Sequence, residues 1–110
     1  MIENRIATIQ STIETAGTIP TETKAELLML VAGLKSEIET LSETHHEDAS
    51  SITRFADASA HEASRAKKNP QLAETALTGL RLSIQGFEDS HPELVRTVSR
   101  FATTLSNMGL

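Results

Sequence analysis

The stretch that decides the fold is residues 27–41, which read LLMLVAGLKSEIETL. Its large apolar residues recur at alternating spacings of four and three, at Leu27, Val31, Leu34, Ile38 and Leu41. This spacing places them along one face of an α-helix. β-branched residues and leucines alternate between the two heptad positions. That distribution favours pairs of helices, either in a parallel coiled coil or in an antiparallel bundle.

Three further stripes with the same spacing lie on either side of this helix. They are Ile2, Ile6, Ile9, Ile13 and Ala16; Ala73, Leu77, Leu80, Ile84 and Phe87; and Leu94, Val98, Phe101, Leu105 and Met108. The stripes share the same spacing of apolar residues, but we expect no repeat of the amino-acid sequence itself. We therefore predict an all-α fold, a bundle of about four helices with antiparallel neighbours where the turns are short.

At 110 residues the chain is expected to form a single domain, 1–110. We divide it into an N-terminal helical hairpin (1–43), an alanine-rich helical segment (44–69) and a C-terminal helical hairpin (70–110). Thr44 with Glu47 matches a capping box, which favours a helix break there over one long helix. The alanine-rich segment has a thin apolar face, so we expect the fastest amide exchange in this segment.

Composition limits the function classes and suggests self-association. The net charge of −5 argues against nucleic-acid binding, and the absence of cysteine excludes disulfides and thiol chemistry. No apolar run approaches the roughly 20 residues of a membrane span, and no signal peptide is visible, so a cytoplasmic protein is expected. With only three aromatic residues, the small aliphatic core is expected to be completed by a homodimer, or alternatively a tetramer. The residues assigned to the core or oligomer seam are Leu27, Val31, Leu34, Ile38, Leu41, Leu94, Val98, Phe101 and Leu105.

The segment Ser90-His91-Pro92-Glu93 is predicted to be a structural turn between two helices. Ser90 would accept a hydrogen bond from the backbone near Glu93, whose side chain would return to the Ser90 N–H, with Pro92 in the first turn. His91 is assigned to the turn rather than to chemistry. A Ser90–His91 hydrolase pair would lack an acid partner and an oxyanion loop. Gly109 followed by Leu110 fits the end of the last helix.

Two runs near the C-terminus carry a resemblance to a known family. Residues 87–94, FEDSHPEL, and residues 105–110, LSNMGL, resemble a family of short bacterial proteins, the domain-of-unknown-function family 4404. The resemblance spans most of the chain and is weakest over residues 42–75. It implies no activity, because none is established for the family. It does support a helix-turn-helix at the C-terminus.

The histidines supply the candidates for chemistry. His45, His46 and Asp48 carry metal-ligating groups, and a site would need a further ligand such as His61. His61 also lies on a predicted helix near basic residues, as in a phosphotransfer domain, but Ser64 and Arg65 stand where that family has Lys and Gly. We expect a structural or interaction protein that is not an enzyme, holds no cofactor and binds itself. A metal-binding or phosphotransfer bundle using His45, His46 or His61 is the alternative.

Overall fold

The computed structural model describes residues 2–108, and these form five α-helices. They are α1 (Ile2–Thr15), α2 (Thr21–Ser42), α3 (His46–Ser64), α4 (Pro70–Ser83) and α5 (Pro92–Ser106). The all-α class is confirmed, with one helix more than the approximate count from the stripes. The helix end expected at Gly109 and Leu110 lies outside the described residues. Among the helices that are described, none has the length and apolar character needed to cross a membrane.

The helical structure is interrupted between α2 and α3, where residues 43–45 form the connection. The break that the polar residues predicted is therefore present, and residues 21–68 form two helices. The backbone N–H groups of Thr44 and His45 both donate to the carbonyl of Leu41, at 3.2 and 2.8 Å. These bonds close the last turn of α2 before the chain reverses into α3.

The alanine-rich helix α3 lies at the centre of the bundle and contacts all four other helices, most extensively α4 and α1. The thin apolar face expected from the sequence is nevertheless well covered by these neighbours. Its buried face consists mostly of small residues, which let neighbouring helices approach closely. The side chains on this face have little volume, but the neighbouring helices cover them along the whole helix. These residues are Ala49, Ile52, Thr53, Ala56, Ser59, Ala60 and Ala63. The contacts of α3 with all four other helices therefore do not favour the fast amide exchange expected for this segment.

Two hydroxyl groups are buried on α3, and both find partners within the helix. Thr53 Oγ1 donates to the carbonyl of Ser50 at 2.9 Å, and Ser59 Oγ donates to the carbonyl of Phe55 at 2.8 Å. Such bonds to the preceding turn satisfy a hydroxyl in an apolar setting. The centre of the bundle therefore carries polar atoms without an unmet hydrogen bond at these two positions.

The residues assigned to the core or seam all belong to the core of the single chain. Each is at most 2% exposed: Leu27, Val31, Leu34, Ile38, Leu41, Leu94, Val98, Phe101 and Leu105. They are covered because α2 packs against α5 and α1 within the chain. The core part of the expectation is therefore confirmed. Because these side chains are covered within one chain, self-association is expected to use other residues.

Candidate functional site

The residues that immediately precede α3 and α5 have the same backbone conformation. The residue preceding each helix is a histidine: His45 has φ −134° and ψ 60°, and His91 has φ −138° and ψ 64°. Each histidine N–H donates to the carbonyl four residues earlier, Leu41 in one turn and Phe87 in the other, at 2.8 Å in both. The last residue of each connection is therefore built in the same way, although the connections themselves differ in length, at residues 43–45 and 84–91.

The capping boxes predicted at these turns are wrong. Because the helices begin at His46 and Pro92, the histidines occupy the N-cap positions, and neither makes a side-chain capping bond. The hydroxyl residues Thr44 and Ser90 fall one position too early to cap. Proline fits the first helical position, which moves the cap of α5 from Ser90 to His91. Glu93, expected to reach back to Ser90, instead forms an ion pair with Arg96 at 3.3 Å.

The hydroxyls that do not cap the helices contact the imidazoles instead. Thr44 Oγ1 lies 2.7 Å from His45 Nδ1, and Ser90 Oγ lies 3.0 Å from His91 Nδ1. In each turn the contact joins adjacent residues and uses the ring nitrogen nearer the backbone. This arrangement orients the ring and leaves its outer nitrogen, Nε2, without a hydrogen bond to the protein among the described residues. It resembles the way in which neighbouring groups orient histidines that bind metals.

The two histidine rings meet at the same end of the bundle, with Phe87 between the turns. Ring centroids are 6.0 Å apart for His45 and His91, and each histidine also stands edge to face against Phe87, at 5.5 and 5.6 Å. Phe87, expected to be a core residue, is half-buried and contributes one wall of this cluster. The structure thus brings together His45, a candidate ligand from the sequence, and His91, which the sequence had assigned to a structural turn.

The matching turns belong to a repeat in the sequence, contrary to the expectation that the stripes share only a period. Residues 33–56 align with residues 79–102 without gaps, at an offset of 46 positions. Eight aligned pairs are identical: Gly33/Gly79, Leu34/Leu80, Ile38/Ile84, His45/His91, Glu47/Glu93, Arg54/Arg100, Phe55/Phe101 and Ala56/Ala102. The signal was present in the sequence, in the shared pattern Thr/Ser-His-X-Glu followed by Arg-Phe-Ala. It is visible only when residues, rather than spacings, are compared.

The helices of the two repeats pack in a crossed pattern. The first helix of one repeat, α2, packs on α5, which is the second helix of the other, and α4 packs on α3 in the same way. Contacts within each hairpin, between α2 and α3 or between α4 and α5, are less extensive. This crossing brings the two turns to one end of the molecule, which explains why the equivalent histidines meet.

The end of the bundle that carries the histidines is acidic. The turn segments 43–48 and 88–93 contain six carboxylates and neither Lys nor Arg: Glu43, Glu47, Asp48, Glu88, Asp89 and Glu93. The net charge of the whole chain is −5. Glu93 is paired with Arg96, and the remaining carboxylates still give these segments a net negative charge, which attracts cations.

The other residues proposed from the sequence as ligands are not gathered with His45. His46 lines a cavity of about 230 Å³ beside Arg5 and Arg54, and His61 Nε2 lies 3.9 Å from Glu62 on the exposed side of α3. Within residues 2–108, no group of three or more histidine or carboxylate side chains is arranged to hold a metal ion. The ligand set suggested by the sequence is therefore not assembled in the folded chain.

A second feature is an apolar groove on the outer face of α4. The ring of Phe55 lies directly over Gly79, where an added Cβ would stand 2.3 Å from Phe55 Cε1. Phe55 remains 39% exposed, and Leu72 and Leu82 are 48% and 57% exposed. The groove has a volume of about 510 Å³, and its lining is Phe55, Gln71, Glu74, Thr75, Thr78, Gly79 and Leu82.

Comparison with known proteins identifies a family without an assigned activity. No curated protein and no solved structure matches the chain. Residues 34–110 match the family described as "Domain of unknown function (DUF4404)". The matched region runs from the second half of α2 to the C-terminus, and it includes both histidine turns and the groove on α4. The chain therefore belongs to the DUF4404 family.

Proposed function

We propose that the chain is a non-enzymatic helical interaction protein that binds a second copy of itself through the outer face of α4. The observation that carries the proposal is the groove on α4, whose apolar lining includes Phe55 and Leu82. The ring of Phe55 covers Gly79, so the apolar surface offered to another helix is the exposed part of Phe55 together with Leu82. An exposed apolar patch rimmed by polar residues is a usual mark of a protein-binding surface.

Charge favours a second copy as the partner. Glu74 and Arg81 are both exposed on α4, one before and one after Thr78 in the chain. They are two helical turns apart, so they lie on the same face of the helix. When two α4 helices pair antiparallel around Thr78, Glu74 of each copy lies beside Arg81 of the other. In the same register, Leu82 of one copy lies beside Thr75 of the other copy. Leu82 thereby approaches the groove of that other copy, which Phe55 also lines. The helix face is thus complementary to itself, as a twofold interface requires.

The size of the surface predicts a weak dimer. The groove involves parts of two helices, whereas stable interfaces commonly bury about 1,600 Å² in total. We therefore expect association at micromolar to millimolar concentration rather than an obligate dimer. The folded monomer already buries most residues of its four apolar stripes, so each copy keeps its own core.

Light scattering on the purified chain at increasing concentration tests the proposal. We expect the mass to rise from 11.9 kDa towards twice that value. Leu82→Asp should keep the protein monomeric over the same range. Met29→Asp is the matched control, because Met29 is a large exposed side chain, 77% exposed, on α2 and away from the groove. A wild-type protein that stays monomeric throughout, or a dimer lost in Met29→Asp and kept in Leu82→Asp, would overturn the proposal.

A further inference from the structure

We propose that His45 and His91 together form a binding site for a divalent transition-metal ion of the zinc or nickel type, coordinated by Nε2 of both rings. The site lies at the acidic end of the bundle, away from the groove on α4. It does not depend on self-association, because both ligands come from one chain. It also differs from the ligand set suggested by the sequence, since it uses His91 in place of His46, Asp48 or His61.

The separation of the rings fits a shared ion. Zinc binds imidazole nitrogen at about 2.0–2.1 Å, so two imidazoles that share one ion through Nε2 have centroids roughly 5–6 Å apart. The centroids of His45 and His91 are 6.0 Å apart, with the ring planes inclined at 80°. This separation is compatible with one ion bound between the two rings.

The hydroxyl contacts are compatible with the ring form that a metal requires. When Nδ1 carries the proton, it donates to the hydroxyl oxygen of Thr44 or Ser90, and Nε2 keeps its lone pair for the ion. Metal-binding histidines commonly have their second nitrogen held in this way, which fixes the tautomer and the direction of the ring. Both turns provide the hydroxyl, at 2.7 and 3.0 Å.

The surroundings favour a cation and leave the site open. Six carboxylates and no Lys or Arg lie in segments 43–48 and 88–93. Because no third histidine or carboxylate joins the pair among the described residues, water must complete the coordination. His45 is exposed and His91 half-buried, so an ion there would exchange with solvent. We therefore expect moderate affinity, and a preference for ions that imidazole binds well over Mg²⁺.

The repeat supplies an independent reason to treat the pair as a unit. Of the eight identical pairs, five are apolar or glycine, and the other three are His45/His91, Glu47/Glu93 and Arg54/Arg100. Packing alone does not require imidazole at a position that is exposed in one copy. A ligand shared by the two copies of the turn does require it in both.

The first test is a calorimetric titration of the untagged chain with Zn²⁺ and with Ni²⁺. We expect one ion per chain. His45→Ala and His91→Ala should each weaken binding by more than about tenfold, since even residues that only orient a ligand contribute roughly 10–100-fold. His46→Ala and His61→Ala are the matched controls and should leave the affinity unchanged. Binding that survives in His91→Ala, or that is lost in His46→Ala, would overturn the proposal, as would Mg²⁺ binding of equal strength.

The second test needs no variant and remains decisive if a histidine variant fails to fold. Amide and imidazole NMR signals of the wild-type chain are followed while Zn²⁺ is added. We expect the largest changes in both turn segments, 43–48 and 88–93, at the same ion concentration. Changes confined to one turn, changes centred on His61, half an ion per chain, or no change at millimolar Zn²⁺ would each contradict a site shared by His45 and His91.

Discussion

The rings of His45 and His91 meet edge to face with centroids 6.0 Å apart, although the residues are 46 positions apart in the chain. Each precedes a helix with nearly the same φ and ψ, and the crossed packing of four helices brings the two turns together. The relationship links the repeat, the fold and the candidate site. The repeat also provides pairs of equivalent residues whose surroundings differ, so that the two members of a pair can be compared directly.

The two equivalent phenylalanines should differ in their contribution to stability. Phe101 is 1% exposed, so Phe101→Ala should lower the free energy of unfolding by about 3–5 kcal/mol. Phe55 is 39% exposed, and Phe55→Ala should cost less than about half as much, because less apolar surface returns to water. Urea denaturation of the two variants measures both values. Equal losses would contradict the burial described here.

The two equivalent glycines should respond in opposite directions to alanine. At Gly33 an added Cβ would lie 3.7 Å from Thr97 Cγ2, an ordinary contact, so Gly33→Ala should raise the free energy of unfolding by up to about 1 kcal/mol. At Gly79 the Cβ would overlap the ring of Phe55, which must swing outward. We expect Gly79→Ala to be neutral or destabilising by about 1–2 kcal/mol. Thermal or urea unfolding compares the pair, and an equal gain at both glycines would be inconsistent with the Phe55–Gly79 contact.

The start of α4 should be more sensitive to loss of its cap than the start of α5. Asn69 Oδ1 accepts a hydrogen bond from the Leu72 N–H at 3.2 Å, so Asn69→Ala should cost about 1 kcal/mol. Ser90 has no capping bond, and Ser90→Ala should change stability by less than about 0.5 kcal/mol. Chemical denaturation of both variants checks the contrast. A larger loss for Ser90→Ala than for Asn69→Ala would restore the capping box that the sequence suggested.

Amide exchange should be slow in the middle of α3. The segment 52–60 lies at the centre of the bundle against four other helices, so its amides should open only with the whole domain. The loops 16–20 and 65–69 should exchange fastest. Hydrogen exchange followed by NMR gives the protection at each residue. Faster exchange in 52–60 than in 94–106 would support the original expectation from the alanine-rich sequence.

The sequence predicted the helices well because their burial follows a simple period. Every residue of the stripe from Leu27 to Leu41 is buried, and the break near residue 44 is where polar residues interrupt that period. The packing of α3 was missed because small residues carry little apolar signal even when they are covered. The turns were misread because the helices begin at His46 and Pro92, one residue later than capping boxes starting at Thr44 and Ser90 would require. The meeting of His45 with Phe87 and His91 is a long-range contact, which local spacing does not predict.

Self-association through the self-complementary face of α4 is the central claim, and a charge-exchange experiment measured by light scattering tests it most directly. Glu74→Arg and Arg81→Glu should each weaken the homodimer, because each variant places like charges together at both ends of the antiparallel contact. Mixed in equal amounts, the two variants should associate, since every contact between positions 74 and 81 then joins opposite charges. A mass in the mixture above that of either variant alone is the predicted result. A mixture that remains at 11.9 kDa while the wild type dimerises would contradict the antiparallel α4 contact.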